Sequence, residues 1–132
     1  MSTQETGAYQ VTGWDEKPYD EIEGGAKLTK ASITNTFTGV IEGAGAAEYL
    51  MAYPSETYAE FAGVQRIDGA VGGRSGSFLL RTTGVFEGGV AKGEWSVIPG
   101  SGTGDLKGLS GTGGYTSGEG GAADVTFAYD LA

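Results

Sequence analysis

Residues 82–95 read TTGVFEGGVAKGEW, two strand-like runs on either side of Gly88-Gly89. A glycine pair in this setting predicts a two-residue hairpin turn, because glycine reaches the positive φ values such turns need. The turn sets Phe86 opposite Ala91, Gly84 opposite Gly93, Thr82 opposite Trp95 and Leu80 opposite Val97, and directly opposed residues share a face. One face then reads Phe78, Leu80, Thr82, Gly84, Phe86, Trp95 and Val97; the other carries Arg81, Glu87, Lys92 and Glu94. The first is the core face, since a one-residue slip would bury four charges.

The same reading extends outward. Candidate strands span 8–15, 28–42, 45–53, 57–69, 74–87, 90–99, 111–117 and 123–131. Helical propensity alone would allow a helix over GAAEYLMAY (45–53), but its neighbours alternate and Pro54 follows, so it reads as a strand. Turn chemistry at Gly43-Ala44, Pro54–Thr57, Gly72-Gly73 and Gly88-Gly89 makes sequential strands antiparallel neighbours. Eight such strands predict an all-β, closed eight-stranded antiparallel barrel, a form without exposed edges. It forms a single domain over 1–132, with 1–6 loosely ordered. Residues 100–114, GSGTGDLKGLSGTGG, form a long glycine-rich connection with one helical turn near 105–109.

A turn at Gly72-Gly73 points Phe61, Gly63, Gln65 and Ile67 inward; one at Gly43-Ala44 points Ile33, Asn35, Phe37, Gly39 and Ile41 inward. A four-residue loop at 54–57 places Glu48 inward between Gly39 and Gly63. Another loop length would exchange Glu48 for Tyr49. With Gly84 and Gly93 on the same face, the absent side chains suggest a gap beside Glu48; strand bending at barrel corners is the competing role for those glycines. A carboxyl in such a lumen would have a raised pKa suited to proton transfer. Glu48 is therefore the candidate catalytic group, with Asn35, Gln65 and Thr82 as polar and Phe37, Phe61, Phe86 and Trp95 as apolar ligand contacts. Tyr49, Met51, Tyr53 and Leu79 are expected outside, as a subunit interface.

Composition narrows the chemistry. The chain has no cysteine and no histidine, and a net charge of −9. Histidine-dependent nucleophiles and Cys/His zinc sites are excluded. Nucleic acid and anionic membranes are not expected partners. No signal peptide or membrane-spanning run is read, so a cytoplasmic location is expected, with neither metal nor cofactor. Asp15, Glu16, Asp20, Glu21 and Glu23 lack calcium-loop spacing and read as a solvated loop. GGRSG and GSGTGDLKG lack the Walker lysine pattern.

VTGWDEKPYDE, GAAEYLMAY, VGGRSGSFLL and GEWSVIPGSGTGDLKGLSGTGGY resemble a bacterial family of small proteins of unknown function with the allene oxide cyclase-like barrel. The 100–114 segment also resembles the glycine-rich loop of plant allene oxide cyclases and dirigent proteins. The resemblance implies oligomers and a lumen that binds an apolar small molecule and guides its cyclisation or coupling. It also implies Glu at the position of Gln65 and His at that of Thr82 in relatives, so of such a cluster only Glu48 is kept here. The expected function is small apolar ligand binding in the lumen, with cofactor-free cyclase or isomerase chemistry as an extension. A filled, non-catalytic oligomeric module is the alternative, and anion binding by the 100–114 amides is a third.

Overall fold

The computed structural model describes residues 3–21, 26–117 and 121–131. Eight strands run in chain order: β1 Thr3–Glu21, β2 Lys27–Gly39, β3 Ile41–Ser55, β4 Tyr58–Val71, β5 Arg74–Glu87, β6 Val90–Val97, β7 Leu109–Ser117 and β8 Ala122–Leu131. Each pairs antiparallel with the next, and β1 closes on β8, giving the closed barrel expected. The first strand starts earlier than expected: Thr3–Thr6 are paired with Tyr129–Thr126.

Two hairpins follow the expected register. Leu80 faces Val97, Thr82 faces Trp95 and Gly84 faces Gly93 across β5–β6, and Phe61, Gly63 and Gln65 face Gly84, Thr82 and Leu80 across β4–β5. The inward faces bury Phe37, Phe61, Phe78, Trp95 and Phe127, while Glu48, Glu60, Arg66, Asp68, Arg81 and Glu94 stay outside.

The third strand differs from expectation by one residue in its register with β4 and by seven in its register with β2, because the expected turn at Gly43-Ala44 is not there. Its turn with β2 lies at Gly39–Val40, where Gly39 has φ +90° and is exposed rather than inward. Its register with β4 shifts between Ala52 and Ser55. A bulge there suits Pro54, which has no N–H to give a ladder. Consequently Tyr49, not Glu48, faces Gly63, and Met51, not Leu50, faces Phe61. Tyr49 and Met51, expected outside, are buried.

One end of the barrel is shut. Strand β6 is shorter than β5, and the glycine-rich connection covers the part of β5 left uncovered: Thr103 N donates to Ser77 O at 2.8 Å, and Leu79 N donates to Ser101 Oγ at 3.1 Å. A single 3-10 turn, Gly104–Leu106, drops Leu106 into full burial over that end. The Thr103 and Leu106 amides are used in these bonds, which removes them from the anion site considered for this segment. No helix among the described residues is long and apolar enough to cross a membrane.

Candidate functional site at the open end of the barrel

All seven residues expected to contact a lumen ligand sit on the inner face. Asn35 and Gln65 pair, Gln65 Nε2 donating to Asn35 Oδ1 at 3.0 Å. Gly45 makes room for that pair: a Cβ there would lie 2.7 Å from Phe37 Cε1 and 2.9 Å from Gln65 Nε2. The other inward glycines act in the same way. A Cβ on Gly84 would lie 2.6 Å from Phe61 Cζ, and one on Gly93 would lie 2.7 Å from the Tyr115 hydroxyl. The glycines therefore admit aromatic rings rather than leave a gap. Trp95 stacks near Phe37 and Tyr115, with centroids 6.1 and 5.2 Å away.

Glu48 is not part of the lumen. It is exposed on the outer face opposite Ser32, whose Oγ donates to it at 2.6 Å. An unpaired carboxylate has its lowest free energy in water, and the β3 bulge lets it stay there. The expectation that Glu48 points into the lumen is thereby overturned.

Three tyrosines meet in the middle of the barrel: Tyr49, expected outside, and Tyr9 and Tyr115, which the sequence did not mark. Tyr9 and Tyr115 make an edge contact at 5.4 Å, and Tyr49 packs on Phe61 at 5.3 Å. Burial raises the pKa of all three, reinforced for Tyr115 and Tyr9 by neighbouring tyrosines. Thr82 and Tyr115 lie close enough to the Tyr49 hydroxyl to oppose its rise, but Thr82 Oγ1 makes no hydrogen bond among the described residues. These phenols stay protonated at neutral pH and act as donors, not bases.

Above them lies a cavity of about 40 Å³, whose lining includes Trp14, Met51, Phe86, Ala91, Asn35 and Gln65. Phe37, Thr82 and Trp95 pack outside its lining. It has room for a few waters and is far below the roughly 300–1,000 Å³ of ligand pockets.

The acid at this end is Glu16. A register shift between Val11 and Gly13 on β1 brings Trp14 opposite Ile33 and Glu16 opposite Ala31, both inward-facing positions of β2. Glu16 Oε2 accepts from Thr29 Oγ1 and Tyr53 Oη, each at 2.6 Å, and Oε1 accepts from Trp14 Nε1 at 3.1 Å. Burial pushes this carboxyl up. The Thr29, Tyr53 and Trp14 donors, with Lys27 nearby, outweigh it and hold the group below the usual range. Tyr53 is pushed up to about 12 by burial and by Glu16. Lys27 Nζ lies 4.9 Å from the centre of the Tyr53 ring. Of the acidic stretch read as a solvated loop, Asp15 is exposed and pairs with Lys17 at 3.7 Å; Glu23 and the side chains of Asp20 and Glu21 lie outside the described residues. The stretch hid Glu16 because composition does not show which of its acids a β1 bulge turns inward.

A crystal structure of a protein of unknown function from Shewanella oneidensis MR-1 superposes with a TM-score of 0.80 at 26% identity, covering 100% of this chain and 99% of that one. That protein is described as a member of the DUF3224 family. No curated protein gives a significant match. Residues 5–129 match the family described as "Protein of unknown function (DUF3224)", and the chain belongs to it.

Proposed function

We propose that the barrel binds a small, mostly apolar molecule that enters at the open end, beneath Trp14. The observation that carries this reading is the cavity between Trp14 and the buried tyrosines, in a barrel whose other end is shut by Leu106. The cavity is small as it stands, but its cover is adaptable. Trp14 is 52% exposed, and Met51 has an unbranched chain that repacks readily. The resemblance to allene oxide cyclase-like barrels supports lumen binding. The cyclase or isomerase extension has lost its acid with Glu48, and Glu16, held ionised, is an acceptor rather than a proton donor at neutral pH, so the reading is confined to binding. The test is toluene uptake followed by NMR. Trp14→Ala should raise toluene affinity several-fold by widening the mouth, and Ala91→Phe, which fills the cavity, should abolish it. Toluene binding unaffected by either substitution, or absent from both wild type and Trp14→Ala, rejects the reading.

A second reading, a filled oligomeric module, is favoured by the outer face of β3 and β4. Leu50 is 57% and Val64 43% exposed there, with Ala62 opposite Leu50. Sedimentation velocity should then give a self-associated species that Leu50→Glu dissolves; a monomer throughout rejects it.

A further inference from the structure

We propose that the molecule taken up at this mouth carries a hydroxyl or N–H donor and no negative charge, and that Glu16 Oε1 receives that donor in the place now held by the Trp14 indole. The inference rests on the binding reading above and names the polar end of the ligand.

The two oxygens of Glu16 are in different situations. Oε2 is fixed to the barrel wall by Thr29 and Tyr53 at 2.6 Å each, and Thr29 is buried at 2% exposure. Among the described residues Oε1 has one partner, the Trp14 N–H at the longer distance of 3.1 Å, on a residue half in water. A carboxylate has about four acceptor positions, so Oε1 has capacity to spare. The wall donors keep the carboxylate in place when Trp14 moves. Trp14 is therefore the exchangeable member of the set.

Trp14 also covers the apolar cavity. One ring thus occupies both the donor position at Glu16 and the roof of the lumen. A molecule that replaces it meets a mainly apolar floor, to which Asn35 and Gln65 also contribute, and, where the indole N–H now reaches across, the ionised Glu16 of the adjoining groove, and has to resemble the indole in having an apolar body with one donor. Lys27 stands over Tyr53 and lies near enough to Glu16 to favour its ionised form, and a neutral hydroxyl adds no charge to this arrangement. Anions face Glu16 itself, Glu56 in the same groove and a chain of net charge −9.

The discriminating probes are p-cresol and p-xylene, which differ by a hydroxyl in place of a methyl, and 4-methylbenzoate as the anion. Burial alone ranks p-xylene above p-cresol, because the methyl costs nothing to desolvate. A bond to a carboxylate reverses that order. Wild type should bind p-cresol on the order of tenfold tighter than p-xylene, should not bind 4-methylbenzoate measurably, and should shift the Trp14 indole N–H resonance, identified by its loss in Trp14→Phe. In Glu16→Gln the single remaining acceptor oxygen is claimed by Thr29 and Tyr53, and the amide N–H groups can meet p-cresol only through its hydroxyl oxygen in a weaker, neutral bond; the preference for p-cresol over p-xylene should then fall several-fold. Wild type binding p-xylene at least as tightly as p-cresol overturns the donor inference and leaves the apolar pocket standing, and so does equal binding of the anion. Failure of every probe, toluene included, removes the pocket itself. The wild-type comparison decides the question even if Glu16→Gln fails to fold.

Discussion

Trp95→Ala is expected to lower the unfolding free energy by about 3–5 kcal/mol, as for large-to-small changes at other packed aromatic sites. That is a large share of the roughly 5–15 kcal/mol available to a domain. Trp95 is 3% exposed and joins Phe37 to Tyr115 in the centre of the lumen. Its removal leaves both rings without support on one side, and its neighbour across β7 is Gly113, which has no side chain to fill the space. Trp95→Phe is expected to cost far less. The indole N–H is buried without a hydrogen-bond partner among the described residues, so phenylalanine removes an unsatisfied donor while it keeps a ring. Urea titrations of the two variants check this. Equal losses would mean that the indole N–H has a buried partner. A loss below about 1 kcal/mol for alanine would mean that the lumen collapses readily around a missing ring.

This packing bears on how the barrel can hold a guest. Inward glycines at 45, 84 and 93 are matched by Phe37, Phe61 and Tyr115, each ring filling the position that a Cβ would need. An eight-stranded barrel is just wide enough to be filled by side chains or to hold a small molecule. Here side chains fill the shut end and the middle, and the space that remains lies under Trp14. A guest is therefore confined to the open end unless the aromatic centre rearranges.

The parts of this arrangement legible in the sequence were those fixed by two-residue turns. Gly72-Gly73 and Gly88-Gly89 admit one register each, so the inner faces of β4, β5 and β6, with Phe61, Gln65, Thr82, Phe86 and Trp95, follow directly. Where a bulge intervenes, parity counting fails by one residue, and one residue reverses a strand. The bulge before Ser55 put Glu48 outside and Tyr49 inside, and the shift after Val11 aimed Glu16 into the mouth. Pro54 marks the first. The second has only Gly13 as a local signal, whose Cβ would lie 2.6 Å from Thr34 Oγ1. Tyr115, surrounded by glycines on a strand rich in them, gave no apolar alternation from which its side could be read.

Alkaline titration should unfold this barrel cooperatively. Tyr9, Tyr49 and Tyr115 carry hydroxyls whose pKa values burial raises above the value near 10 of a free tyrosine, well above it for Tyr9 and Tyr115. Above pH 10 the unfolded chain releases these protons and the folded chain retains them. The native state then binds more protons, and stability falls as pH rises. The contribution is complete below pH 10 and is lost progressively above it, with three groups acting in the same direction. Phenolate absorbance near 295 nm should accordingly rise in two parts: an early one from tyrosines near the surface such as Tyr58, and a later one that coincides with loss of the β-sheet circular dichroism signal. Urea midpoints should decline steeply from about pH 10 upward, and Tyr49→Phe, with one hydroxyl fewer to deprotonate, should show a shallower decline. Tyr9, Tyr49 and Tyr115 all line the small cavity under Trp14, so water entering there would reach them first. If all the phenols ionise near pH 10 with the sheet signal intact, the centre of the barrel is open to solvent, and the confinement of a guest to the open end fails with it.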